Sequence, residues 1–179
     1  LVSVPELEQK LAQPVRTMQI VILAMIVVPL IFAAVVLVIG SQAPEQPAPI
    51  RGEVVQQQGR EAVGRIALMF GLVALFAQQW MGRFVTKQAV QNLARQAMKE
   101  PERLGEAFVT GTVVSCAINE MAAFLNLIAY MSSQSWTNLA MGLLLIASNA
   151  LKMPTVKKVA AWIRVTVERL RVEQGVSAE

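Results

Sequence analysis

Four apolar stretches alternate with polar ones along the chain. "TMQIVILAMIVVPLIFAAVVLVIG", residues 17–40, carries no charge at all. "RIALMFGLVALFAQQWMGRFV", residues 65–85, "LGEAFVTGTVVSCAINEMAAFLNLIAYM", residues 104–131, and "WTNLAMGLLLIASNALKM", residues 136–153, follow. A membrane-spanning helix needs roughly 20 mostly apolar residues at about 1.5 Å of rise each. The pattern therefore predicts an all-α integral membrane bundle of four transmembrane helices occupying residues 17–153. Pro29, at the middle of the first span, predicts a kink, because proline removes one helical hydrogen bond and crowds the preceding turn.

The connections differ in kind. Residues 41–62 hold Pro44, Pro47 and Pro49 among polar residues and predict an irregular extracytoplasmic loop. "RFVTKQAVQNLARQAMKEPERL" has no glycine and many helix formers, so the second helix is expected to run on past the bilayer and break near Pro101. "SSQS", residues 132–135, is a tight link that predicts an antiparallel hairpin of the third and fourth helices. In residues 154–179, Pro154 suits a first helical position. Val156, Val159, Ala160, Ile163, Val167 and Leu170 then fall on one stripe, with Lys157, Lys158, Arg164, Glu168 and Arg171 opposite. That pattern predicts an amphipathic helix in the cytoplasmic membrane interface, or one packed against the extension of helix two.

Charge placement gives an independent check. With four spans, the segment 1–16, the second connection and residues 154–179 share one side. Of the 16 Lys and Arg, only Arg51, Arg60 and Arg65 then fall on the other. Positive charge marks the cytoplasmic side, so the expected location is the cell membrane, multi-pass, with both termini cytoplasmic. The first span has a second reading, a signal peptide cut after a Ser41-x-Ala43 site; its long apolar core favours a retained anchor.

Composition narrows the chemistry. The chain is 55% hydrophobic and 16% charged, with mean hydropathy +0.50, too apolar for an ordinary soluble surface. It has one cysteine, Cys116, and no histidine, which excludes an internal disulfide and the usual Cys/His metal sites. The net charge of +4 comes from residues flanking apolar runs, not from a basic patch interleaved with aromatics, so nucleic acid is not expected as a partner. No catalytic residues are assigned: paired intramembrane carboxylates and a G-x-S-x-G elbow are missing, and a buried thiol beside a carboxylate is not activated.

Polar residues inside the apolar runs carry the remaining signal. At 100° per residue, Thr112, Cys116, Asn119, Ala123 and Asn126 form a narrow stripe on the third helix, with Ser115 and Glu120 on its two shoulders. The second helix lines up Gly64, Gly71, Leu75, Gln78 and Gly82, a face that admits a close neighbour. This face is expected to pack on the Glu120 side of helix three, with Gln78 as polar partner. The fourth helix offers Asn138, Gly142 and Asn149 as an alternative neighbour. For Ser115, Thr112 and Asn126 the simplest role is helix packing.

Glu120 stands apart. A carboxyl at bilayer depth costs on the order of 3 kcal/mol, and the spans hold no interior Lys, Arg or His to pair with it. Three arrangements remain. Glu120 stays protonated and hydrogen-bonds to Asn119, Gln78 or a hydroxyl; or it binds a cation, with Gln78, Ser115, Asn119 and Asn126 as nearby oxygen donors; or its partner is an arginine of another subunit.

Residues 94–130, "ARQAMKEPERLGEAFVTGTVVSCAINEMAAFLNLIAY", resemble the carboxylate-bearing half of the proteolipid (c) subunit of rotary ATP synthases. The polar turn corresponds to Arg95–Glu102 with Pro101, the ion-binding carboxylate to Glu120, and the tail to Ala122, Ala123 and Leu127–Tyr130. The resemblance implies reversible binding of H⁺ or Na⁺ at Glu120, with no other cofactor. Two functions follow as expectations. One is a proton- or sodium-binding transport component acting in a homo-oligomer or a larger membrane complex. The other is a structural or assembly protein in which Glu120 is a protonated helix-packing residue.

Overall fold

The computed structural model describes residues 4–41, 53–97, 100 and 102–176. Among these the chain is all-helical: α1 (Val4–Ser41), α2 (Glu53–Ala97), α3 (Arg103–Ser133), α4 (Trp136–Leu151) and α5 (Val156–Val176). Three helices, α1, α2 and α3, are long and apolar enough to cross a membrane; α4 and α5 meet that test only when taken together. The 16 residues of α4 rise about 24 Å, short of a ~30 Å hydrocarbon core, whereas the 45 residues of α2 rise about 68 Å.

Two helix boundaries differ from the sequence expectation. The loop expected over residues 41–62 is shorter, because α2 already begins at Glu53. Glutamate, glutamine, arginine and alanine dominate residues 53–62, and the Glu61–Arg65 ion pair at 3.6 Å spans one turn there. Pro44, Pro47 and Pro49 lie outside the described residues, as does Pro101. Pro154 is not the first helical residue: α5 starts at Val156, and Thr155 caps it by accepting from the Lys158 amide at 3.3 Å. α1 is one helix across both Pro14 and Pro29.

The chain divides into two units. One comprises residues 1–22, 80–115 and 152–179, the other residues 23–79 and 116–151. The first unit has an aliphatic core in which Leu7, Leu11 and Val15 of α1 meet Leu104 of α3 and Val159, Ala160, Ile163 and Leu170 of α5. The α1 residues recur at helical spacing, so one stripe faces inward. The α5 stripe is the one legible in sequence, and protein covers it: it packs on α1 and α3, with Val90 of α2 alongside, and does not lie open to headgroups. Gly105 makes room, since a Cβ there would sit 3.0 Å from Leu11 Cδ2. Phe108 and Trp162 add a tilted ring pair at 5.3 Å, and Gln19 Nε2 donates to the Pro154 carbonyl at 2.8 Å.

The second unit packs α2, α3 and α4 around small residues, with Ala33 and Val36 of α1 against them. The α3–α4 link turns at Gln134, whose φ of 53° is left-handed, and whose amide donates to the Tyr130 carbonyl at 2.8 Å. α3 and α4 run antiparallel, as Gly142 lies on Leu127 and Ala123 while Asn149 reaches Cys116. Outward-facing side chains of this unit are largely apolar: Ile31, Met69, Phe70, Val73, Phe76, Met121 and Leu144 are each more than half exposed.

Candidate functional site

The α2 and α3 faces meet in three layers within the second unit. Gly64 lies against Ser133, Gly71 against Asn126, and Gln78 against Asn119. Successive residues are one heptad apart on each helix, ascending on α2 and descending on α3, as antiparallel helices crossing at a shallow angle require. The layers are thus roughly 10.5 Å apart along the helices. Each receives a residue from α4: Asn138, Met141, and then Ser148 with Asn149.

Glycine is what admits the amides. A Cβ at Gly71 would stand 2.6 Å from Met141 Cγ and 2.9 Å from Asn126 Nδ2. Without it, Asn126 reaches across to donate to the Ala67 carbonyl at 2.9 Å, and to its own helix at Ala122 at 2.8 Å. A Cβ at Gly64 would meet Asn138 Nδ2 at 2.9 Å. Gly142 sits 3.1 Å, measured the same way, from Leu127 Cδ2. Gly82 belongs to the first unit and plays the same part there, against the Gly111 carbonyl and Ser115 Cβ at 3.2 Å.

The Gln78 layer is the most connected. Asn119 Nδ2 donates to Gln78 Oε1 at 2.5 Å, to Asn149 Oδ1 at 3.0 Å and to Ser148 Oγ at 3.2 Å. Gln78 Nε2 donates to Ser148 Oγ at 3.2 Å, and Asn149 Nδ2 to the Cys116 carbonyl at 3.1 Å. Three helices are tied by groups that oil would otherwise penalise. Asn119 and Asn126 are fully buried. Asn119 Oδ1, Asn126 Oδ1 and both polar atoms of Asn138 have no hydrogen-bond partner among the described residues.

Glu120 is elsewhere. It is half-buried on the outer flank of α3, beside the exposed Met121, and one turn before Phe124, which meets Phe32 at 5.4 Å. It makes no hydrogen bond or ion pair among the described residues. The expectation that the glycine face of α2 packs on the Glu120 side is therefore corrected: it packs on the Asn119 side, and Gln78 bonds Asn119. One residue is a rotation of about 100°, enough to put the amide in the seam and the acid outside it. Asn119, Gln78 and Asn126 thus share the seam, while Glu120 does not join them. Ser115 belongs to the first unit, where it is buried and accepts from Lys152 Nζ at 2.7 Å.

Sequence reasoning missed Ser148 and Lys152 as members of polar contacts. Ser148 had a signal, a hydroxyl beside Asn149 in an otherwise aliphatic helix end. Lys152 looked like a flanking charge, and only its tertiary contact distinguishes it. No protein-family model matches the chain, and no characterised protein or solved structure matches it.

Proposed function

We propose that the chain is a multi-pass membrane protein whose Glu120 binds and releases a proton on the lateral face of the bundle, as a proteolipid-like component working against a second membrane-embedded polypeptide. The observation that carries this reading is the division of labour on α3. Both carboxamides of α3 in the seam, Asn119 and Asn126, are fully buried, while the carboxyl of Glu120 is half-buried off the seam with no hydrogen bond or ion pair among the described residues. A carboxyl serving the bundle's own packing would be turned inward and bonded, as Asn119 is. Turned outward in oil, it is stable chiefly as the acid, and ionises when a base or water reaches it.

Proton binding is favoured over sodium. A sodium ion needs several oxygen ligands, and the oxygen-bearing side chains closest in sequence, Ser115 and Asn119, are buried away from the outer flank. The same bundle fits the cell membrane with both termini cytoplasmic, α4 completing a fourth crossing with the residues that follow it. A second reading, an assembly protein, draws support from the amide layers, which give the helix bundle strong internal specificity.

Carbodiimide labelling in reconstituted vesicles tests the proposal. Carbodiimides react with protonated carboxyls in apolar surroundings. Glu120 should be modified at low pH, be protected as pH rises, and be indifferent to Na⁺. Labelling insensitive to pH would refute proton exchange, and protection by Na⁺ at fixed pH would establish the sodium alternative.

A further inference from the structure

The first unit contains a partly open groove of about 590 Å³ between α1 and α3, unconnected with the reading of Glu120. Its two walls change character together. At one end lie Lys10 of α1, Glu102 just before α3, and Arg103 and Glu106 of α3. Further along, Met18 and Val21 face Val109 and Val113. Thr17 and Thr110 mark the transition. The helices are parallel here, since residue numbers rise together along both walls. From Lys10 to Val21 the groove runs about 16 Å, the depth that half of a ~30 Å hydrocarbon core offers one acyl chain.

We propose that this groove holds one phospholipid with a primary ammonium headgroup, phosphatidylethanolamine, its acyl chain lying on Val21, Val109 and Val113. Charge complementarity selects that headgroup. The mouth presents two cations and two carboxylates, not a basic cluster. Lys10 already stands between Glu6 at 3.6 Å and Glu102 at 3.5 Å, and Arg103 pairs with Glu100. Glu106 is exposed and forms no ion pair among the described residues. An anionic lipid would satisfy Arg103 and Lys10 but leave Glu106 without a cation. A zwitterion places its phosphate toward Arg103 and Lys10 and its ammonium toward Glu106. A primary ammonium donates hydrogen bonds to that carboxylate, which a trimethylammonium cannot do.

The full chain, reconstituted in phosphatidylcholine vesicles, is photolysed with trace lipids carrying a diazirine in the same acyl chain and an ethanolamine, choline or glycerol headgroup. Crosslinks from the ethanolamine lipid should map to residues 10–21 and 102–113, exceed the other two about fivefold, the scale of one interfacial ion pair, and fall when unlabelled phosphatidylethanolamine competes. Glu106→Gln should lower the ethanolamine yield to the choline level. Equal yields for the three headgroups, a higher yield for the glycerol lipid, crosslinks outside those segments, or a Glu106→Gln variant that labels like wild type would each overturn the proposal. The competition arm uses the unaltered chain and does not depend on how the variant folds.

Discussion

The two units put their polar groups in opposite places. In the first, the core is aliphatic and the charges form surface ion pairs, Lys10 with Glu6 and Glu102, Arg103 with Glu100, Arg171 with Glu168. In the second, Gln78, Asn119, Asn126, Asn138 and Asn149 are buried, and beyond the charged stretch at Arg60, Glu61 and Arg65 the outside is mainly Ile, Leu, Val, Met and Phe. Water rewards the first arrangement, because ions stay solvated while aliphatic groups escape. Oil rewards the second: a lipid tail is as apolar as leucine, so helices gain little by burying leucine and more by close backbone approach and shared amides. The contrast is one of core chemistry, aliphatic groups in one unit and amides in the other, and it makes Glu120 the acid left outside the amide layers.

Exchanging polarity between the units breaks the comparison most sharply. Leu104→Asn in the first unit should cost about 4 kcal/mol, since it deletes buried aliphatic volume and strands an amide in an aliphatic core; chemical unfolding followed by circular dichroism would read it. Gly71→Leu in the second unit should cost about 3 kcal/mol by driving into Met141 and Asn126, and should shift the helix-association equilibrium measured in detergent. Asn119→Leu should cost about 1–2 kcal/mol in the same assay, because interhelical hydrogen bonds in bilayers are individually worth well under 2 kcal/mol, but the two N–H groups of Asn119 have three acceptors in reach. Glu120→Gln should change stability by less than ~0.5 kcal/mol, as the side chain makes no hydrogen bond or ion pair among the described residues. A loss near that of Asn119→Leu would mean that Glu120 is a packing group after all.

The inward stripe of α3 was legible because one helix with a 3.6-residue period sorts its own faces: Cys116, Asn119, Ala123 and Asn126 are all fully buried. The glycines of α2 were legible for the same reason. Glu120 was not, because it sits on a shoulder of that stripe, and only the positions of the neighbouring helices decide whether a shoulder is covered. The early start of α2 was hidden by proline: three prolines in residues 44–49 suggested a loop, and the helix-forming residues after them were assigned to it. The amphipathic stripe of α5 was read correctly as a stripe, but a sequence pattern does not distinguish a lipid surface from Leu7, Leu11 and Leu104 as its cover.

The central claim, an exchangeable proton on an outward-facing acid, is tested most directly by infrared spectroscopy of the reconstituted chain across a pH titration. The account predicts a protonated-carboxyl carbonyl band that is absent from Glu120→Gln and that converts reversibly to carboxylate as pH rises. A band that persists in Glu120→Gln, or a Glu120 carboxylate already ionised at every pH tested, would contradict it.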